Sequence, residues 1–430
     1  MNSTYPQYPR LTPFTRIATR GKESILANLL NGRWLRIENA TLECLKALHP
    51  DAMLDLLTKS GVNPEESRQF VGSLIEHGFI DDGSGKVYPV NLVLLPFNAY
   101  LNVTDYCNLA CAHCYYGSHP DLGHGLPNAE LFRIVDSLRA GGIENIVVAG
   151  GEPTTRPGIE ELLRYIRGKG FHEITLLTNA TAITPEQAAV IAECVDVTHV
   201  SLDGPNEAIN AVIRGRGNFD KTIAGVRLLK TTGVKRIRLV TNINAVNIKW
   251  VHTMRTLRDK LGVELGNNVF AEVGRGSKHR RLMPLADDLI KLFIEEAEAV
   301  SCAVSASNPD YLNIHAGVSC GSCTHMVSVD CRGDVFPCHL FHRLEFRIGN
   351  LLLQPNLVKL LNLSSVAEQF RAKTVEAREC HGCEVKYFCK GGCLAHTVAA
   401  YDEDADAWKK RDPFCRVHRT VLNAQLWPNG

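Results

Sequence analysis

The chain has 430 residues, 45% of them hydrophobic, which is enough for two or three domains with their own cores. With 47 Lys+Arg against 46 Asp+Glu the net charge is +1, so no overall charge draws it to nucleic acid or an anionic membrane, and neither is expected as a partner. No apolar run reaches the roughly 18 residues of a membrane span, and MNSTYPQYPRLTPF has no signal-peptide core, so a cytoplasmic location is expected. Thiols stay reduced there, and 15 cysteines gathered mostly into short-spaced groups then suggest metal ligation rather than disulfides.

Residues 1–95 contain no cysteine cluster and read as a small separate unit. Ser24 to Leu30 and Arg33 to Ile37, joined across Asn31-Gly32, form a predicted hairpin, and TLECLKALH, DAMLDLLTKSG and PEESRQFVGSLIEHGFI carry helical periodicity. A strand pair followed by three helices predicts a winged-helix-like domain. From about Leu101 short apolar strands alternate with helices. AYLNVTDY, NIVVAG, EITLLTN, DVTHVSLDG and RIRLVTNIN read as buried strands; PGIEELLRYIRGKG, PEQAAVIAECV and FDKTIAGVRLLKTTG read as the helices between them. Repeated strand–helix units predict parallel strands with right-handed crossovers, hence an α/β sheet or a partial (β/α)6 barrel over 96–310, with ligands at the carboxyl ends of the strands. Residues 311–430 dissolve into Cys- and Gly-rich loops, which predicts a domain organised by something other than a large apolar core.

Cys107, Cys111 and Cys114 follow the first barrel strand in CNLACAHCYYG. Three thiolates on a [4Fe–4S] cube leave one iron open to a small molecule, whereas zinc completed by His113 or His119 is the competing reading. The C-x3-C-x2-C spacing, with Tyr115 and Tyr116 after it, resembles the cluster loop of radical S-adenosylmethionine (SAM) enzymes. The resemblance extends to the next strand end, where Gly150, Gly151, Glu152 and Pro153 match the turn that approaches the methionyl end of SAM. It implies SAM contacts at successive strand ends from Thr178, Asn179, Ser201 and Asp203, with Asn242 or Asn244 following, and a pairing of Arg214 with the SAM carboxylate.

Downstream, Cys320, Cys323 and Cys338 precede CHGCEVKYFCKGGC, which supplies Cys380, Cys383, Cys389 and Cys393, and Cys415 follows. This order resembles the SPASM extension of radical SAM proteins. The resemblance implies one auxiliary [4Fe–4S] cluster on Cys320, Cys323, Cys338 and Cys393 and another on Cys380, Cys383, Cys389 and Cys415, three clusters in all. Cys331 competes with Cys323 for its place, and a pair of zinc sites is the alternative chemistry.

The implied activity is reductive cleavage of SAM to a 5′-deoxyadenosyl radical that removes hydrogen from a ribosomally synthesised precursor peptide, with a thioether or carbon–carbon crosslink as the leading outcome. Epimerisation, with Cys302 or Cys331 as hydrogen donor, and sulfatase-maturase-like oxidation are alternatives, as is a peptide-binding or electron-transfer scaffold that cleaves no SAM. The N-terminal unit resembles PqqD-like domains that grip the leader segment as an added strand. An electron donor such as flavodoxin or ferredoxin is an expected partner. Sulfatase maturases carry an aspartate base after the cysteine that corresponds to Cys338; here His339 stands there and is the candidate base.

Overall fold

The computed structural model describes residues 11–47, 57–59, 61–81, 95–301, 314–401 and 404–428. Two sheets organise them. The smaller is antiparallel, in the order β1 (Thr15–Arg20), β2 (Glu23–Asn28), β3 (Trp34–Glu38). The Asn31-Gly32 hairpin forms, with Ala27 opposite Trp34 and Gly32 at φ +75°. The strand β1 is missing from the sequence reading because TRIATR offers one strongly apolar residue, Ile17, too few to show a period. Helices Asn39–Ala47 and Pro64–Glu76 pack Leu42, Leu45, Val71 and Leu74 against Leu26 and Ile37. Asn63 caps the second of these through the Glu65 N–H, with proline at the first position. Most of DAMLDLLTKSG lies outside the described residues.

The larger sheet contains six parallel strands in sequential order: β4 (Asn98–Asn102), β5 (Asn145–Ala149), β6 (Glu173–Thr178), β7 (Val197–Ser201), β8 (Ile237–Ile243) and β9 (Glu264–Val269). Helices Asn128–Ala140, Ile159–Gly168, Pro185–Cys194 and Phe219–Thr231 bury Ile134, Leu162, Ile191 and Leu229 in one core with Leu101, Val148, Leu176 and Leu239 of the strands. The expected partial (β/α)6 barrel is therefore present. Its last strand, ELGNNV, escapes the sequence reading because Gly266 and two asparagines break the apolar pattern.

The C-terminal region differs from expectation. Its strands β10 (Met326–Val329), β11 (Asp334–Phe336) and β12 (Gly349–Asn350) extend the barrel sheet, with β10 parallel to β4. Val327, Val329, Phe341, Leu351 and Phe370 belong to the barrel's own apolar core. Strands of four, three and two residues are too short for a sequence period to reveal, so the region reads as loop although it shares the main core.

The N-terminal sheet docks on this C-terminal region. Ile25 and Ala27 pack with Ala316, Val385, Phe388, Leu426 and Trp427; Trp34 meets Phe388 edge-on at 5.8 Å and donates from Nε1 to the Ile314 carbonyl (2.9 Å).

Candidate active site and cysteine groups

The loop after β4 carries Cys107, Cys111 and Cys114 at the carboxyl end of the barrel, the first two buried. It is held from outside itself. Arg275 donates to the carbonyls of Cys111 (2.8 Å), Gly117 (3.2 Å) and Ser118, and its N–H donates to the Cys114 carbonyl (2.9 Å). Burial pushes the Cys107 thiol up to about 12 and the Cys111 thiol to about 11, each reinforced by neighbouring thiols. Ligation needs thiolates, so binding a cationic group here releases protons.

At the end of β5, Gly150 adopts φ +130°, and a Cβ on Gly151 would fall 1.9 Å from the Tyr106 carbonyl oxygen, so the turn admits glycine alone. The Glu152 carboxylate beyond it is fully engaged. Oε1 accepts from Thr154 N–H and Oγ1 and from Thr178 Oγ1, and Oε2 accepts from the Asn179 N–H at 2.6 Å. Burial raises its pKa and these bonds oppose the rise. Glu152 therefore ties the end of β5 to the end of β6. Pro153 starts a one-turn helix behind it, and Arg156 clamps the whole corner through the carbonyls of Val103, His124 and Leu126.

A cavity of about 510 Å³ opens on these strand ends, lined by the three thiols, Glu152, Thr178, Asn179, Ser201 and Arg214. Asp203 stands behind that wall. Its Oδ2 lies 2.7 Å from both His113 Nε2 and Arg214 Nε, and its Oδ1 accepts from the Asn242 N–H at 2.8 Å. Burial alone would raise this carboxyl, but Arg214 and His113 outweigh it and hold it at about 2. The sequence reading offers Asp203 and Arg214 to SAM as separate contacts; in the structure they form one ion pair, with only Arg214 at the cavity surface. Asn242 also lines the cavity, and its Oδ1 is buried without a hydrogen-bond partner.

His339 also lines the cavity. Its ring stacks on Tyr100 at 4.4 Å and meets Tyr115 edge-on at 5.4 Å. Burial pushes the imidazole down to about 4, so the ring is neutral near pH 7, with Nδ1 unpaired. The adjacent Cys338 faces Cys320 and Cys323, and Cys393 faces Cys320 and Cys338. Cys323, at φ +62°, belongs to this group. Cys331 does not, since it neighbours Asp105, Asp330 and Arg332 and packs on Gly125, whose Cβ would fall 2.6 Å from its Sγ. Cys380, Cys383, Cys389 and Cys415 form a third group around a separate cavity of about 110 Å³. Among the described residues no three His, Cys, Asp or Glu side chains are arranged to hold a single metal ion.

Residues 101–257 match the radical SAM superfamily, and residues 320–384 match the SPASM iron–sulfur cluster-binding domain. The chain is a radical SAM enzyme with a SPASM domain. Mycofactocin maturase MftC of Mycobacterium tuberculosis is 29% identical over 299 residues, 67% of this chain and 76% of the relative. The subtilosin biosynthesis protein AlbA of Bacillus subtilis is 27% identical over 271 residues, 60% of this chain and 58% of AlbA. In fold, the radical SAM/SPASM chain is similar to anSMEcpe with bound AdoMet (TM-score 0.63, 18% identity, 77% of this chain and 93% of that one). It is also similar to Streptococcus suis SuiB bound to precursor peptide SuiA (TM-score 0.59, 16% identity, 95% and 100%).

Radical SAM and SPASM domains bind SAM and iron–sulfur clusters, and the charges in this SPASM domain suit such groups. Lys373 lies over Phe370 at 4.1 Å and faces Cys323; Lys390, at φ +55°, faces Cys320 and Cys389. Among the described residues neither ammonium has a carboxylate partner, and Arg371 Nε and Nη2 are buried without a hydrogen bond. Half-buried cations beside Cys320, Cys323 and Cys389 are what a net-negative thiolate-bound cluster neutralises. The sequence reading also misses Asp412. Its Oδ2 accepts from the Cys393 N–H at 2.7 Å and its carbonyl from the Cys415 N–H at 2.8 Å, so one residue braces a cysteine of each SPASM group.

Proposed function

We propose that this radical SAM/SPASM enzyme is a peptide maturase, removing a hydrogen atom from a ribosomally made precursor so that a thioether or carbon–carbon crosslink forms. The observation that carries the reading is the single cavity lined both by the three-thiol loop and by His339 and Leu340 of the SPASM domain. In this reading Cys107, Cys111 and Cys114 hold a [4Fe–4S] cluster with an open iron, and the two SPASM groups of four thiols hold one cluster each. When bound, the first cluster supplies the electron that cleaves SAM to methionine and a 5′-deoxyadenosyl radical, and the others supply an acceptor for the electron that crosslinking releases.

The chain's own residues bind and orient. Gly150 and Gly151 let backbone approach the methionyl end of SAM, while Thr178, Asn179 and Ser201 present hydroxyl and amide groups to its polar atoms. Arg214, fixed by Asp203, faces its carboxylate. Tyr100 and Tyr115 shield the SPASM wall from water, and neutral His339 offers Nδ1 to a substrate proton. Names of relatives favour a peptide substrate, MftC being a maturase and SuiB having been solved with a precursor peptide. Crosslinking is favoured over epimerisation because, among the described residues, the cavity wall has no thiol beyond the three in the loop. The N-terminal sheet would take the leader on β3, whose outer edge is unpaired among the described residues, and a flavodoxin or ferredoxin would supply the electron.

After anaerobic reconstitution the protein should carry about twelve iron per chain, from three four-iron clusters. Replacing Cys107, Cys111 and Cys114 by Ala should remove about four of these and abolish 5′-deoxyadenosine formation. Continued SAM cleavage by that variant would refute the assignment, and wild-type protein that makes no 5′-deoxyadenosine under reduction would favour a cluster-bearing scaffold.

A further inference from the structure

Beyond β9 the chain reads VGRGSKHRRLMPL, with Arg275, Lys278, Arg280 and Arg281 and no acidic residue from Val273 to Leu285. In a chain of net charge +1 this is a local concentration of positive charge. Both ends of the run are clamped to the cysteine loop. At the first end, Arg275 binds the carbonyls of Cys111 and Cys114, and Gly274 lies so close that a Cβ would fall 2.1 Å from the Tyr115 carbonyl oxygen. At the second, Leu282 is buried with Ile213 and Phe270 against Ala112, the residue between Cys111 and His113.

Between the clamps, Lys278, His279, Arg280 and Arg281 line a shallow surface depression. Lys278, Arg280 and Arg281 are exposed. Arg280 is 74% exposed and makes a 3.5 Å ion pair with Glu272, of the kind worth little at a surface. Among the described residues Lys278 and Arg281 have no carboxylate partner. Like charges in one short exposed run repel one another and do not favour folding, while they create a positive potential on a segment fixed at both ends to the three-thiol loop.

We propose that the Lys278–Arg281 surface is the docking site of an acidic one-electron carrier protein that reduces the centre beneath it. The inference rests on the radical SAM reading of the cysteine loop. The carrier loses one electron, the carbon–sulfur bond of SAM breaks, and methionine and the 5′-deoxyadenosyl radical form with no proton transferred. A positive patch accelerates encounter with a negatively rimmed carrier and loses that advantage as salt screens it.

The test uses the full cluster-bearing chain and a Lys278→Glu/Arg281→Glu variant, neither residue touching the cavity. Formation of 5′-deoxyadenosine is driven either by reduced flavodoxin, an acidic flavoprotein, or by dithionite, a small reductant that needs no docking site. With flavodoxin at low ionic strength the variant should be about tenfold slower or worse, the wild type should fall toward it as salt rises, and with dithionite the two should match. Affinity for oxidised flavodoxin, read by calorimetry without turnover, should fall about tenfold.

Unchanged flavodoxin affinity and rate would overturn the proposal. So would an equal loss with both reductants, which would make the run a support of the cysteine loop. A fall in precursor-peptide affinity with flavodoxin binding intact would likewise overturn it and assign the patch to an acidic peptide. Absence of 5′-deoxyadenosine from wild type under dithionite would sink the radical SAM reading instead, while the calorimetric arm would still decide the docking site.

Discussion

His199 on β7 lies opposite Arg238 of β8 in register and faces the cavity, in the barrel interior. Burial, then Arg238, push its imidazole down to about 4 from an ordinary 6.5. The unfolded chain therefore binds the proton more readily than the folded one, so the stabilisation is full above pH 6.5 and is lost as pH falls toward about 4. The shift corresponds to about 2–3 kcal/mol after allowance for partial exposure. A His199→Gln variant should lose less stability than wild type between pH 7 and pH 5, read as the pH slope of thermal unfolding; parallel slopes would show that folding leaves the proton affinity of this imidazole unchanged. Residues of this kind show where sequence reading stops. Cys107, Cys111, Cys114 and the Gly150–Pro153 turn are legible because local spacing carries their geometry. The pairing of Asp203 with Arg214 and His113, the Arg156 clamp and the Asp412 brace join residues far apart in the chain, and nothing local marks them.

The N-terminal hairpin was legible in Asn31-Gly32, yet its use depends on which way its edge faces. Asn28 N–H donates to the Arg33 carbonyl and Asn39 N–H to the Lys22 carbonyl, and Ile25 lies opposite Arg36. Ladder bonds in an antiparallel pair alternate, so the 26/35 and 24/37 pairs are bonded, while the N–H groups of Trp34, Arg36 and Glu38 point outward from β3. An added leader strand would use these outward groups. Arg36→Pro removes one of them without breaking the β2–β3 ladder, the edge position that proline tolerates. It should weaken binding of a leader peptide about tenfold in an anisotropy titration, whereas Arg36→Ala should retain most of the affinity. Equal affinity of the proline variant and wild type would place the leader elsewhere. Deleting the whole module is a poorer test, because it would expose the face formed by Ala316, Val385, Phe388, Leu426 and Trp427.

At the scale of the molecule, the barrel and the SPASM region share one sheet and one core, although the sequence divides them near residue 310. The division is visible because cysteine and glycine density changes there; the shared core is hidden because β10, β11 and β12 are too short to show a period. Removing residues 311–430 would unpair the outer edge of β4 and strip Val327, Val329, Val335, Phe341, Leu351 and Phe370 from the core. At about 1.5–3 kcal/mol for each fully buried side chain, the loss is on the order of 10 kcal/mol, comparable with the whole stability of a typical domain. A chain ending at residue 310 should therefore accumulate as insoluble protein or as a state without a cooperative thermal transition, even though it retains Cys107, Cys111, Cys114 and every strand from β4 to β9. Co-expression of residues 311–430 as a separate chain should restore solubility, since the β4–β10 pairing needs no covalent link. A soluble, cooperatively folding chain ending at 310 that binds SAM as tightly as the full protein would show that the barrel closes its core without the SPASM strands, and that the continuous sheet is a contact between independent domains.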